Sequence, residues 1–160
     1  MKLFSPEERA KYLAKRNRKL MSSSVILQNE EAKVLILETT YKEHWEVPGG
    51  GIEENESPLE AAVRETKEEL GLELKNPRLV GVDYRHTQGG KEEMLHFVFF
   101  GGVLADTEIR KIKLQSDELK ACRFVNIEEV HSLCGSGIGS RVSRGLEAIS
   151  SNICIYWDLK

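Results

Sequence analysis

The chain has 160 residues, 40% apolar and 31% charged, which predicts one globular domain over residues 1–160 and argues against disorder. Its 23 basic and 26 acidic residues leave a net charge of −3, which speaks against a strongly basic nucleic-acid binder. No apolar run approaches the roughly 20 residues that a membrane helix needs, and Met1 to Leu20 is too interrupted by charge for a secretory apolar region. Cys122, Cys134 and Cys154 form no Cys-x-x-Cys pair and read as reduced thiols, so the expected location is cytoplasmic.

In chain order, Ser5-Pro6-Glu7-Glu8 offers an N-cap serine, a proline at the first helical position and a glutamate at N3, predicting an accessory helix over about 5–16. The basic residues in and beyond it, Arg9 to Lys19, read as a solvated face. Strands are expected over Met21–Leu27 and Lys33–Thr40, with a polar break at Gln28–Glu31. Trp45-Glu46-Val47 reads as a short strand stopped by Pro48-Gly49-Gly50-Gly51. Ser57-Pro58-Leu59-Glu60 repeats the capping pattern, and Gly71 is a natural helix stop. Strands over Leu79–His86 and Leu95–Val103 follow, with Gln88–Lys91 turning between them. A short strand over Cys122–Val125 and a short helix over Ile127–Leu133 lead to a Gly/Ser loop, Cys134–Ser140. A last helix over Arg141–Ile149, capped by Ser140, and an apolar segment Ile153–Trp157 close the chain. This interleaving predicts an α/β fold, a mixed sheet covered by helices.

The chemistry is concentrated in Gly50 to Leu72. On a helical wheel Leu59, Ala62, Val63, Thr66 and Leu70 form one apolar stripe, while Glu65, Glu68 and Glu69 gather on the largely opposite side. Their i, i+3, i+4 spacing makes them surface neighbours, and like charges so placed repel. A hard divalent cation offsets that repulsion, and Mg²⁺ needs only a few carboxylates beside substrate phosphates. Arg64 lies beside the acidic face, with Glu60 and Glu68 at i−4 and i+4, and can hold a carboxylate by a two-pronged hydrogen bond. Gly49, Gly50 and Gly51 let backbone groups approach a metal or phosphate closely.

Gly50, five residues, Glu56, seven residues, then Arg64-Glu65-Thr66-Lys67-Glu68-Glu69-Leu70-Gly71-Leu72 resembles the signature of the Nudix hydrolases, G-x5-E-x7-R-E-U-x-E-E-x-G-U with U apolar. Every fixed letter matches, which at about 7% usage per residue type arises by chance on the order of once in 10⁸ windows. The one departure is Thr66 in an apolar position, where its methyl can pack while its hydroxyl bonds back to the helix. The resemblance implies an α/β/α sandwich around a mixed sheet, and Mg²⁺-dependent hydrolysis of a pyrophosphate linkage in a nucleotide derivative, with Mn²⁺ as the alternative ion. It also implies that Glu65, Glu68, Glu69 and the Gly50 carbonyl bind the metal, that Glu56 and Arg64 support them, and that Glu68 or Glu69 removes the proton from water. Glu118, in the loop Gln115–Glu118, is a further candidate base, weighed against a solvated loop acid.

Family members that sense nucleotides without cleaving them usually lack a motif glutamate, and none is missing here. Many ADP-ribose hydrolases carry a proline about sixteen residues past the motif; Arg85–Gly90 has none, which weakens that substrate. The extended signature of coenzyme A hydrolases is absent as well. Nucleoside triphosphates, sugar nucleotides, dinucleoside polyphosphates and RNA 5′ ends stay open as substrates, although the net charge opposes stable nucleic-acid binding. Family members are often dimers, which leaves a homodimer open, although no interface can be read from one chain.

Trp45 and Tyr84 are candidates for stacking on a base, weighed against a role in the core or its rim. Arg141 and Arg144 are candidates for an anionic substrate. His86 and His96 read as satisfied strand histidines, and His131 with Cys134 is too small a set for zinc. Gly135–Ser140 is glycine-rich but lacks the lysine of a phosphate-binding loop.

Overall fold

The computed structural model describes residues 4–87, 89–90 and 92–159. Its elements are α1 (Pro6–Ala14), β1 (Leu20–Asn29), β2 (Val34–Thr39), β3 (Gly49–Gly51), α2 (Pro58–Leu70), β4 (Arg78–Arg85), β5 (Met94–Leu104), α3 (Asp106–Ile109), β6 (Leu119–Val125), α4 (Ile127–Ser150) and β7 (Ile155–Leu159). The strands form one mixed sheet in the order β6-β2-β1-β5-β4-β7, with β3 on the edge of β1. β1 runs parallel to β5, and β4 parallel to β7; the other pairings are antiparallel.

Period-two alternation sorts the core into two layers. Ile26, Ile36, Val80 and Val98 face one side and pack with Val130, Val142 and Ala148 of α4. Val25, Leu27, Leu35 and Leu37 face the other and pack with Ala62 and Leu70 of α2. The result is the expected α/β/α sandwich. No described helix is long and apolar enough to cross a membrane.

The capping boxes expected at Ser5 and Ser57 both form. Ser5 accepts from the Glu8 N–H while Glu8 accepts from the Ser5 N–H, and Ser57 and Glu60 do the same. Each such cap contributes about 1 kcal/mol. α2 ends at Gly71, whose φ of 67° is left-handed. α1 buries none of its residues.

Three expectations need correction, and two stretches had not been anticipated. Trp45–Val47 is not a strand: Glu46 alone bridges to Leu37, and the glycines expected to stop it form β3, paired with Ser22, Ser23 and Ser24. At Gly49 the pairing leaves no room for a side chain, since a Cβ there would lie 2.2 Å from the Ser23 carbonyl oxygen. The Gly/Ser stretch 134–140 is not a loop, and Ser140 caps nothing. Helix α4 is two helical segments joined across a kink at Gly135 (φ 77°, ψ 170°), and Gly145 serves packing, since a Cβ there would meet Ile26 Cδ1 at 2.3 Å. The buried stripe of α2 is rotated, with Ala61, Ala62, Thr66 and Leu70 inside and Leu59 exposed. The small alanines let α2 sit close to β1, where Ser23 Oγ donates to the Pro58 carbonyl at 2.7 Å. Finally, α3 and the β6 residues before Cys122 carried no sequence signal. Of the expected turn at 88–91, Gln88 and Lys91 lie outside the described residues; Gly89 and Gly90 have left-handed φ.

Candidate active site

Arg64 organises the acidic face of α2. Its Nε and Nη2 donate to the two oxygens of Glu56 at 2.8 and 3.0 Å. Its Nη1 donates to Glu65 at 2.8 Å and Glu68 at 3.1 Å, and Nη2 also donates to the Gly51 carbonyl at 3.0 Å. The two-pronged partner is therefore Glu56, eight residues back, rather than Glu60 or Glu68. Glu60 is committed to the Ser57 cap. Hydrogen bonds donated to Glu56 and, less strongly, to Glu65 and Glu68 raise the pKa of Arg64. The same pairing, with the Glu53 N–H, holds Glu56 below its ordinary value.

Glu65 and Glu69 point from α2 toward β3. Glu69 Oε2 accepts the Gly49 N–H at 2.9 Å. Burial pushes the Glu69 carboxyl up to about 8, and the charges of Glu65, Glu46 and Glu118 add to the rise against the Gly49 hydrogen bond. Burial also raises Glu65, opposed by Arg64. Glu65 sits beside Gly50: a Cβ there would lie 2.2 Å from Glu65 Oε1. Glu68 is exposed.

The loop carrying Glu118 docks on the end of α2. Lys113 N–H donates to the Leu70 carbonyl at 2.8 Å and Gln115 N–H to the Glu69 carbonyl at 3.2 Å. Glu118 is thereby brought within electrostatic reach of Glu69. Glu46 was missed from the sequence as part of this group; both its oxygens accept from Lys42 Nζ at 2.7 Å.

On the other side of β3 a cavity of about 290 Å³ runs from Gly49 and Gly50 between the sheet and α4, past Ser22, Ser24, Arg85, His96 and Arg141. Arg85 and His96 were not expected there. The signal was available: polar residues interrupt the core-facing positions of three strands. Ser22 and Ser24 hold the two ring nitrogens of His96 at 2.5 and 2.8 Å. Burial first, then Arg141 and Arg85, keeps that ring well below its ordinary pKa.

Three of the four candidate substrate contacts lie elsewhere. Trp45 packs against the α4-side core with the Arg123 guanidinium 4.3 Å above its ring. Tyr84 is tied to Glu93 at 2.7 Å and Lys19 at 3.0 Å. Arg144 lies over Trp157, whereas Arg141 reaches the cavity. His131 bonds to Ser143.

Among the described residues no three His, Cys, Asp or Glu side chains form a ready-made ion cage. The donor set nevertheless suits a hard divalent ion. Mg²⁺ takes one or two carboxylates with waters and substrate phosphates rather than an all-protein cage. Glu65, Glu69 and the backbone of Gly50 supply oxygens side by side, in a cradle that a side chain at position 50 would fill.

The NUDIX domain model matches residues 18–141. Among curated proteins, an RNA pyrophosphohydrolase of Hydrogenovibrio crunogenus is 42% identical over 57 residues, covering 36% of this chain and 34% of its own length. A diphosphoinositol polyphosphate phosphohydrolase 3-alpha of Mus musculus is 41% identical over 71 residues, covering 44% and 43%. The matches thus span less than half the length of either relative. Among solved structures, a UDP-X diphosphatase superposes with a TM-score of 0.68 at 22% identity, covering 96% of this chain and 75% of that one. The MutT protein from Methanosarcina mazei Go1 gives 0.64 at 22% identity, covering 86% and 99%; at these identities the likeness is one of fold. The sandwich, the acidic face of α2 beside Gly50 and the family match over most of the chain together establish that this protein belongs to the Nudix family.

Proposed function

We propose that this chain hydrolyses a pyrophosphate linkage in a nucleotide derivative, using a divalent cation, Mg²⁺ or in its place Mn²⁺. The observation that carries the reading is the convergence of Glu65 and Glu69 on Gly49–Gly50, with Arg64 tying Glu56, Glu65 and Glu68 together. The family match and the names of the two curated relatives support it. Residues 1–160 are read as one domain, with α1 as an accessory element ahead of the matched region.

Glu65, Glu68, Glu69 and the Gly50 carbonyl would hold the cation. When bound, it supplies polarisation of the diphosphate oxygens and lowers the pKa of the attacking water. Arg64 keeps Glu65 and Glu68 oriented, and Glu56 keeps Arg64 oriented. The proton of the attacking water passes to a carboxylate of this group, with Glu68, Glu69 and Glu118 as the candidates. General-base assistance contributes about 10²–10⁴-fold, so if Glu118 is the base Glu118→Gln loses that factor in kcat while still binding the cation, whereas the variant of a base that is also a ligand, Glu68 or Glu69, loses both. The variant of a ligand that is not the base loses cation affinity.

A panel read by phosphorus NMR with Mg²⁺ tests the reading: ADP-ribose, sugar nucleotides, nucleoside triphosphates, a dinucleoside tetraphosphate and a 5′-triphosphorylated RNA, with wild type and Glu69→Gln. Selective consumption of one substrate, lost in the variant, is expected. Binding without cleavage of any of them overturns the hydrolase reading in favour of a nucleotide-sensing module.

A further inference from the structure

The cavity between the sheet and α4 holds a set of cations that the hydrolytic group on α2 does not use. Strand register builds it. Ser22 lies opposite His96, His96 opposite Asp83, and Met94 opposite Arg85, so these side chains share the α4 face of the sheet. Arg141 of α4 closes over them. An adjoining space of about 590 Å³ shares Lys42, Arg85, His96 and Arg141.

The cations are not equally committed. Lys42 is paired with Glu46. Arg141 gives Nε and Nη2 to a single oxygen of Asp83, at 3.1 and 3.0 Å, which fixes its plane and leaves Nη1 unclaimed among the described residues. Arg85 forms no ion pair among the described residues, and its Nε is buried without a hydrogen-bond partner. A guanidinium N–H removed from water and left unpaired is unfavourable until an acceptor arrives. His96 cannot be that acceptor, because both of its nitrogens are held by serines. Among the described residues no Phe, Tyr or Trp lines the cavity, so these offer no stacking platform for a base. What the cavity offers is the unsatisfied guanidinium fork of Arg85 and the remaining Nη1 of an Arg141 held in place by Asp83, donors that match the oxygens of a phosphate.

We propose that this cavity is a subsite for a phosphate monoester, held between Arg85 and Arg141. The substrate then carries a phosphate group besides the diphosphate that is cleaved. The consequence for the substrate rests on the hydrolase reading above; the binding site itself does not. The monoester can sit on a nucleotide ribose or on a phosphorylated polyol, and both present the same chemistry to the two arginines.

The test is calorimetric titration in EDTA, where turnover plays no part. One arm compares NADP⁺ with NAD⁺, which differ by a ribose phosphate; the other compares myo-inositol hexakisphosphate with myo-inositol. In wild type the phosphorylated member of at least one pair binds tenfold tighter or more, and the responding pair identifies the source. Arg85→Gln reduces that preference at least fivefold, and Arg85→Lys restores part of it. Equal affinity within both pairs overturns the subsite, as does a preference that persists in Arg85→Gln. Should Arg85→Gln not fold, the wild-type comparison and Arg85→Lys still decide. A protein inactive in the hydrolysis panel can show the preference, and an active one can lack it, so the two readings fail separately.

Discussion

Gly50 and Glu65 occupy the same space in turn: a Cβ on Gly50 would stand 2.2 Å from Glu65 Oε1. The neighbouring Gly49 is constrained differently. Its φ is 146°, and its Cβ would meet backbone, the Ser23 carbonyl oxygen, also at 2.2 Å. A carboxylate at the end of a side chain can swing away, whereas a paired strand cannot.

The two glycines therefore give opposite phenotypes. Gly50→Ala folds, with a melting temperature within a few degrees of wild type, but its cation affinity and activity fall at least tenfold because Glu65 is displaced. Gly49→Ala loses roughly 2 kcal/mol or more of stability from backbone strain and the clash. Thermal melts paired with Mg²⁺ titrations separate them, and a Gly50→Ala protein with full cation affinity would contradict the role given to that cradle.

Arg64 uses its planar fork on Glu56 and its remaining donors on Glu65, Glu68 and Gly51. Lysine keeps the charge but not the fork. Arg64→Lys is expected to cost about 1–3 kcal/mol in unfolding free energy and to lower kcat/KM by tenfold or more. Chemical denaturation and steady-state kinetics measure the two; a variant matching wild type in both would leave Arg64 no organising role.

Thr66 is fully buried, and its hydroxyl donates to the Ala62 carbonyl at 2.8 Å. That carbonyl is the acceptor of the ordinary helix bond four residues on, so nothing is orphaned when the hydroxyl goes. Back-bonding of this kind slightly destabilises helices. Thr66→Val is therefore expected to be neutral or up to about 1 kcal/mol more stable, with unchanged activity. A loss of more than 1 kcal/mol in a thermal melt would refute this account.

His96 is held below its ordinary pKa in the folded chain, chiefly by burial, while the unfolded chain takes up its proton near pH 6.5. Between those two values the unfolded state binds more protons, so acid favours unfolding. The stability linked to His96 is fully present above about pH 6.5 and is lost as pH falls toward the folded value, with a slope approaching ~1.4 kcal/mol per pH unit. Melting curves from pH 7.5 to 5 should show this slope in wild type and not in His96→Gln. Parallel curves for the two proteins would mean that the folded ring takes up its proton as readily as the unfolded one.

The sequence by itself determined what depends on near neighbours. The capping boxes at Ser5–Glu8 and Ser57–Glu60, the stop at Gly71, the acidic spacing of Glu65, Glu68 and Glu69, and the back-bonded Thr66 all lie within a few residues of their partners. Helix period and cap chemistry therefore expose them. The apolar runs Val25–Leu27 and Val34–Leu37 likewise announced β1 and β2. Only the tertiary structure decided what depends on distant chain segments. Gly49–Gly51 reads as a breaker locally and becomes a strand because the edge of β1 lies against it. Gly139 reads as part of a loop and becomes helix, because the segment beyond the Gly135 kink packs back against His131 of the segment before it. Arg64 found its fork partner in Glu56, outside its own helix. Ser22, Arg85, His96 and Arg141 share one cavity only because β1, β4, β5 and α4 converge there. Sheet order and long-range packing bring such residues together, and no local spacing records that proximity.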